Sequence, residues 1–206
     1  MYARSTTVTG QAGMVESGIA HVKDTVMPQV RAMDGCVGLS LIADRESGRC
    51  IVTTAWRDEA AMRATADAVM PLRERAASMF GGETTVDEWE VAYLHRDHRS
   101  ADGACTRVTW TEGDPATMDR AIEMFKSSIM PRVEMLDGFC SASMLVDRTS
   151  GRCCVTASYD STEAMARARD AAMGLRADLA QETGMRITEV AEFELALAHL
   201  DVPELV

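Results

Sequence analysis

The 206-residue chain carries 32 acidic against 21 basic side chains, a formal net charge of −11. Its pI is near 4.8, so it lacks the basic surface that phosphate backbones and anionic lipid headgroups need, and neither nucleic acid nor an anionic membrane is an expected partner. Hydrophobic residues make up 47% of the chain and aromatic ones only 5%, which suits one or two globular domains and makes any repeated aromatic position noteworthy.

Residues 3–9 (ARSTTVT) are rich in β-branched side chains and bounded by Gly10 and Gly13, which predicts a first strand. From Met14 to Met33 the apolar residues Val15, Ile19, Val22, Val26, Val30 and Met33 recur three or four apart, as on one helix face. Pro28 lies inside that pattern and should kink the helix or end its regular part. Asp34-Gly35 closes it. Cys36–Ala43 and Arg49–Trp56 flank the turn residues Glu46-Ser47-Gly48 and predict a β-hairpin. Asp58 is a plausible N-cap for a second helix running to Met79, with Pro71 expected to interrupt it and Gly81-Gly82 to end it. Thr84–Leu94 alternates and predicts a fourth strand.

The same order then begins again. DGCVGLSLIADRESGRCIVTTAW at 34–56 returns as DGFCSASMLVDRTSGRCCVTASY at 137–159, an offset of 103 residues that Met27/Met130, Pro28/Pro131, Asp44/Asp147, Gly48/Gly151 and Cys50/Cys153 keep without a gap. The chain is a tandem duplication. It predicts two α+β, ferredoxin-like (β-α-β-β-α-β) domains at 1–95 and 105–200, a polar linker at 96–104 and a short tail at 201–206. In such a unit the helices cover one sheet face. The second copy is expected to cover the other, giving a single-chain pseudodimeric α/β barrel.

The helix end and hairpin, MPQVRAMDGCVGLSLIADRESGRCIVTTAWRDEAAMRA, resemble the antibiotic biosynthesis monooxygenase-like (ABM) domains of the dimeric α/β barrel superfamily. The YARSTT start, the LHRDH linker and the AEFELALAHL…VPELV end resemble a group of uncharacterised actinobacterial, especially mycobacterial, proteins in which two such domains are fused. The resemblance implies a pocket between the helices and one sheet face. It also implies a small hydrophobic or aromatic ligand, self-association beyond the internal pseudodimer, and no cofactor. Some members oxidise aromatic or quinone-type molecules with O₂ and neither metal nor flavin; others degrade haem or have no known activity. A haem-degrading member would offer Asn, Trp and His where this chain has Arg4, Thr65 and Arg75, and again Arg107, Ala168 and Asp178. That variant is therefore disfavoured.

Two functions remain open: a cofactor-independent monooxygenase-like enzyme, and a non-catalytic ligand-binding, stress-response or assembly module. The expected ligand-binding residues are Arg4 and Arg107 on the first strand of each half, with Trp56 and Tyr159 as pocket walls. A guanidinium there could anchor a carboxylate or phenolate, or pair with a neighbouring acid; the aromatics could wall a pocket or simply pack. His95 and His199, matched at the ends of the last strands, and His21, three residues from Asp24, are candidate bases or surface histidines. Asp44, Arg45, Ser47, Gly48 and Arg49 are assigned to hairpin geometry. His95, His98 and Cys105 lack a regular ligand spacing, so no metal site is expected. The six cysteines include no CxxC and read as buried thiols of a cytoplasmic protein without a signal pattern or membrane span.

Overall fold

The computed structural model describes residues 1–200, and the expected tail at 201–206 lies outside the described residues. Strands β1 (Tyr2–Thr9), β2 (Cys36–Ala43), β3 (Arg49–Trp56) and β4 (Glu83–Arg96) belong to the first repeat. Strands β5 (Cys105–Glu112), β6 (Phe139–Asp147), β7 (Arg152–Tyr159) and β8 (Arg186–Leu200) belong to the second. Their hydrogen-bonded order is β1-β3-β2-β8-β5-β7-β6-β4, a closed barrel. The pairs β1–β3, β1–β4, β2–β3, β2–β8, β5–β7 and β6–β7 are antiparallel. The chain is α+β with the ferredoxin-like order in each repeat.

Two compact units divide the chain: Met1–Glu90 with the described residues from Glu194 on, and Val91–Phe193. Strands β4 and β8 therefore each begin in one unit and end in the other. In the first unit β2 pairs with the end of β8 from Gly38↔Leu200 to Ala43↔Glu194.

In each repeat the first helix is two short α-helices joined by a wider π-helical turn. Helices α1 (Val15–His21) and α2 (Met27–Arg31) flank the turn Val22–Val26, and α5 (Met118–Met124) and α6 (Met130–Val133) flank Phe125–Ile129. Pro28 and Pro131 explain it: with no N–H to offer the carbonyl four residues back, they leave the preceding turn to open.

The second helix of each repeat breaks as well, but not at the proline. Helices α3 (Glu59–Ala64) and α4 (Ala66–Phe80) part at Thr65, while Pro71 sits inside α4. Helices α7 (Thr162–Arg167) and α8 (Arg169–Thr183) part at Ala168, in a helix without proline. The expectation that Pro71 interrupts the helix is thus corrected. The break belongs to both repeats, and its cause is a buried arginine described below.

Local chemistry sets the remaining boundaries. Asp58 caps α3 by accepting from Ala61 N at 2.8 Å, and Ser161 caps α7 by accepting from Ala164 N at 3.2 Å. Asp44 accepts from Glu46 N at 3.0 Å and from the Ser47 hydroxyl, closing the hairpin over Gly48 at φ +77°. Arg45 does not pair across its own hairpin: it reaches Glu194 on β8 at 2.6 and 3.0 Å.

The first unit's core gathers Val22, Val30, Leu39, Leu41, Trp56 and Phe80, and the second gathers Phe125, Met130, Phe139, Met144 and Leu175. All six cysteines are free, with Cys50, Cys105, Cys140 and Cys153 buried. Burial pushes the Cys50, Cys105 and Cys153 thiols up to about 11, so they are inert small hydrophobes at neutral pH. No helix among the described residues is long and apolar enough to cross a membrane.

Candidate functional site

Arg4 on β1 and Arg107 on β5 are each only 3% exposed, which is rare for a residue that cannot lose its charge. Each is held the same way. Arg4 sends Nε and Nη2 to Glu88 Oε1 at 3.0 and 2.7 Å, and Nη2 also donates to the Met62 carbonyl at 2.9 Å. Arg107 sends Nε and Nη2 to Glu192 Oε1 at 3.0 and 2.8 Å, and Nη2 donates to the Met165 carbonyl at 2.8 Å.

The carbonyls explain the broken helices. Met62 O and Met165 O lie in the last turns of α3 and α7, where an unbroken helix would have bonded them to the amides of residues 66 and 169. The arginine takes over those carbonyls and puts a positive charge at the negative end of a helix. Thr65 supplies a further donor in the first repeat, its hydroxyl reaching Met62 O at 2.9 Å.

One guanidinium nitrogen in each repeat is left over: Arg4 Nη1 and Arg107 Nη1 are buried without a hydrogen-bond partner. A second arginine lies nearby in each. Arg73 on α4 and Arg176 on α8 stand at the same place in the two repeats. Burial first, and then the charge of Arg4 or Arg107, lowers their pKa values. In the second repeat Arg169 also reaches Glu192, at 3.1 Å. Burial pushes Glu192 up, but the Arg107 and Arg169 guanidiniums outweigh it and leave the carboxyl below its ordinary value. Three cations thus share one carboxylate in the second repeat, against two in the first.

Beside Arg107 and Arg176 lies a cavity of about 70 Å³, floored by Ala142, Val155 and Ala157 and walled by Phe125, Met130 and Tyr159. The Arg107 guanidinium lies 5.8 Å from the centre of the Tyr159 ring. Burial raises the Tyr159 pKa, and the two arginines only partly offset it, so the phenol stays protonated at neutral pH. Among the described residues the lining contains no carboxylate, imidazole or thiol. At the corresponding places the first repeat has Leu39 for Ala142, Thr54 for Ala157 and Trp56 for Tyr159. Trp56 is fully buried and donates Nε1 to Thr54 Oγ1 at 3.1 Å.

The structure therefore brings Arg107 and Tyr159 together at a cavity, and sets Arg4 and Trp56 in the matching places of the first repeat. His95 is elsewhere: it stacks on Phe139 at 6.4 Å and lies 3.5 Å from Glu134. His98 joins neither His95 nor Cys105 in a cluster, but meets Asp160 and Asp97 at 2.8 Å each.

The family model described as antibiotic biosynthesis monooxygenase matches residues 1–68. Two relatives in Mycobacterium tuberculosis match the full chain. The uncharacterized protein Rv2557 is 55% identical over 206 residues, covering 100% of this chain and 92% of its own. The uncharacterized protein Rv2558 is 53% identical over 207 residues, covering 100% and 88%. The chain belongs to the antibiotic biosynthesis monooxygenase-like family, in its tandem form. Among solved structures an anthrone oxidase-like protein superposes with a TM-score of 0.69 at 13% identity, covering 99% of this chain and 94% of its own. At that identity the likeness establishes the fold.

Within this ABM-like chain, Glu88/Glu192 and Arg73/Arg176 are the partners that sequence reading missed. Arg73/Arg176 carries a usable signal, a charge repeated at the 103-residue offset on an otherwise apolar helix face. Glu88/Glu192 is offset by one residue more and was hidden among other acids.

Proposed function

We propose that the second repeat binds a small aromatic or otherwise apolar molecule bearing one anionic oxygen, with Arg107 and Arg176 holding that oxygen and Tyr159 forming a wall. The observation that carries this reading is Arg107 Nη1, a buried donor without a partner next to an apolar cavity. An unmet buried donor costs about 1–3 kcal/mol, more for a charged group, and an anion is the partner that offsets it best. The 70 Å³ cavity is smaller than the roughly 150 Å³ that accommodates benzene. An aromatic occupant thus enters by displacing Met130 or Met185, whose unbranched side chains repack readily.

The oxygenase reading follows if the bound molecule is a phenol or enol. The paired guanidiniums favour its anion, the electron-rich form that O₂ attacks, and no protein base is needed. Among the described residues the lining offers no carboxylate or imidazole to return a proton to reduced oxygen, which supports the second reading, a carrier or sensor that binds the same anion without turnover.

Native mass spectrometry of freshly purified protein, followed by O₂-uptake assays with hydroxyanthrones and naphthols, tests the proposal. Retention of an anionic aromatic, lost in Arg176→Met, supports binding; substrate-dependent O₂ consumption selects the enzyme. Failure to bind any carboxylate or phenolate from such a panel contradicts both readings.

A further inference from the structure

A second cluster lies away from the cavity, where the segment after β4 meets the ends of β6 and β7. We propose that His98, Cys140 and Asp160 bind one divalent first-row metal ion, with Zn²⁺ the best match to the donors. Their candidate ligand atoms all lie within 4.8 Å of one another. His98 Nε2 is 2.8 Å from Asp160 Oδ1, and Cys140 Sγ is 3.1 Å from the same oxygen. Zinc bonds of about 2.0–2.3 Å in a tetrahedron set ligand atoms about 3.3–3.6 Å apart. The two pairs through Asp160 Oδ1 need to open by only about half an ångström to admit the ion, and the sulfur and Nε2 lie within 4.8 Å of each other.

The surroundings prepare the donors. Asp97 Oδ2 lies 2.8 Å from His98 Nδ1 and holds that nitrogen as N–H, while Nε2, which donates to Asp160 without a cation, gives up its proton and turns its lone pair to the ion when one binds. This carboxylate–histidine pairing is what orients metal-binding imidazoles. The Cys140 carbonyl accepts from Asp97 N at 2.9 Å and His98 N at 3.4 Å, so the histidine segment is tied to the strand that carries the sulfur. Cys140 is buried, while His98 and Asp160 are exposed enough for an ion to arrive from solvent. Without a cation the thiol keeps its proton: burial first, then the hydrogen bond to Asp160, push its pKa up to about 12. Metal binding replaces that proton, as zinc does at other cysteines. Three protein donors leave a fourth position for water.

The first repeat cannot repeat the site. Val37 stands where Cys140 does, and Arg57, a cation, stands where Asp160 does. The stoichiometry is therefore one ion per chain, and the ion fastens the 97–104 segment to β6 and β7 of the second unit.

Titration of the full chain with CoCl₂ under reducing conditions tests this, because a Co²⁺–thiolate bond has its own near-ultraviolet charge-transfer band and Zn²⁺ displaces it. The band should saturate at one equivalent, vanish in Cys140→Ser and in His98→Gln, and remain in Cys105→Ser. Asp97→Asn should weaken binding about 10–100-fold, the usual cost of losing an outer carboxylate. His98→Gln alters an exposed side chain, so its reading stands even if Cys140→Ser folds poorly. No saturable band in the wild type, or a band that persists in either ligand variant, overturns the assignment.

Discussion

The two repeats place the same buried arginine in the same bonds and then diverge around it. Each arginine takes a carbonyl from a broken helix and pairs with a glutamate on the last strand of its own repeat. The first repeat sets Leu39, Thr54 and Trp56 where the second has Ala142, Ala157 and Tyr159. The exchange runs the other way at Val22 against Phe125 and Ala76 against Leu179. What differs is where the bulk sits. Small residues floor the sheet beside Arg107 and leave the cavity there. Duplication has kept the arginine as scaffold in both halves, and the small residues beside Arg107 leave the room on which the proposed binding rests.

Transplanting bulk between the repeats should break this comparison most visibly. Leu39 is fully buried, so Leu39→Ala should cost about 2.7–5 kcal/mol in urea denaturation. Ala142→Leu fills existing space, so it should shift stability by no more than about 1.5 kcal/mol while abolishing ligand retention.

The next largest effect tests what the halves share. Arg4→Met and Arg107→Met should each destabilise by about 2–4 kcal/mol, less than the loss of a fully buried pair because both glutamates remain partly exposed. Equal losses in thermal unfolding fit a common structural role; a loss confined to one repeat contradicts it.

Gly18→Ala should destabilise by about 1–3 kcal/mol although alanine favours helices, because its methyl would meet the Phe80 ring at 2.2 Å. The second repeat has Ala121 and Thr183 there, so Ala121→Gly should cost only the usual helix penalty of about 1 kcal/mol.

The smallest effect concerns pH. The Glu192 carboxyl is held below its ordinary value, so its contribution is present above the unfolded pKa of about 4.3 and is lost as pH falls through the folded one. Glu192→Gln should flatten the acid limb of the stability–pH curve below about pH 4 and leave the curve unchanged in shape above pH 6.

The repeat, the order of elements along the chain and the hairpin were legible because each is local: periodicity, turn residues and a fixed offset do not depend on distant partners. Arg4, Arg107, Trp56 and Tyr159 could be singled out for the same reason, as matched positions. What sequence could not supply was the long-range pairing. The helix break at Thr65 and Ala168 depends on an arginine 58 or more residues away, and Pro71 was the nearer but wrong explanation. The thiol that meets His98 is Cys140 rather than Cys105, because pairing of the β6–β7 hairpin, and not sequence distance, decides which donors converge. The cavity likewise depends on side-chain volumes contributed by separate elements.

The most direct test of the central claim compares Arg176→Met with Arg73→Met, both substitutions of half-buried residues at matching sites. Binding of an aromatic carboxylate or phenolate would be followed by isothermal titration calorimetry. The account predicts that Arg176→Met weakens binding at least tenfold while Arg73→Met leaves it unchanged. Equal weakening in both variants, or none in Arg176→Met, would contradict an anion site built into the second repeat alone.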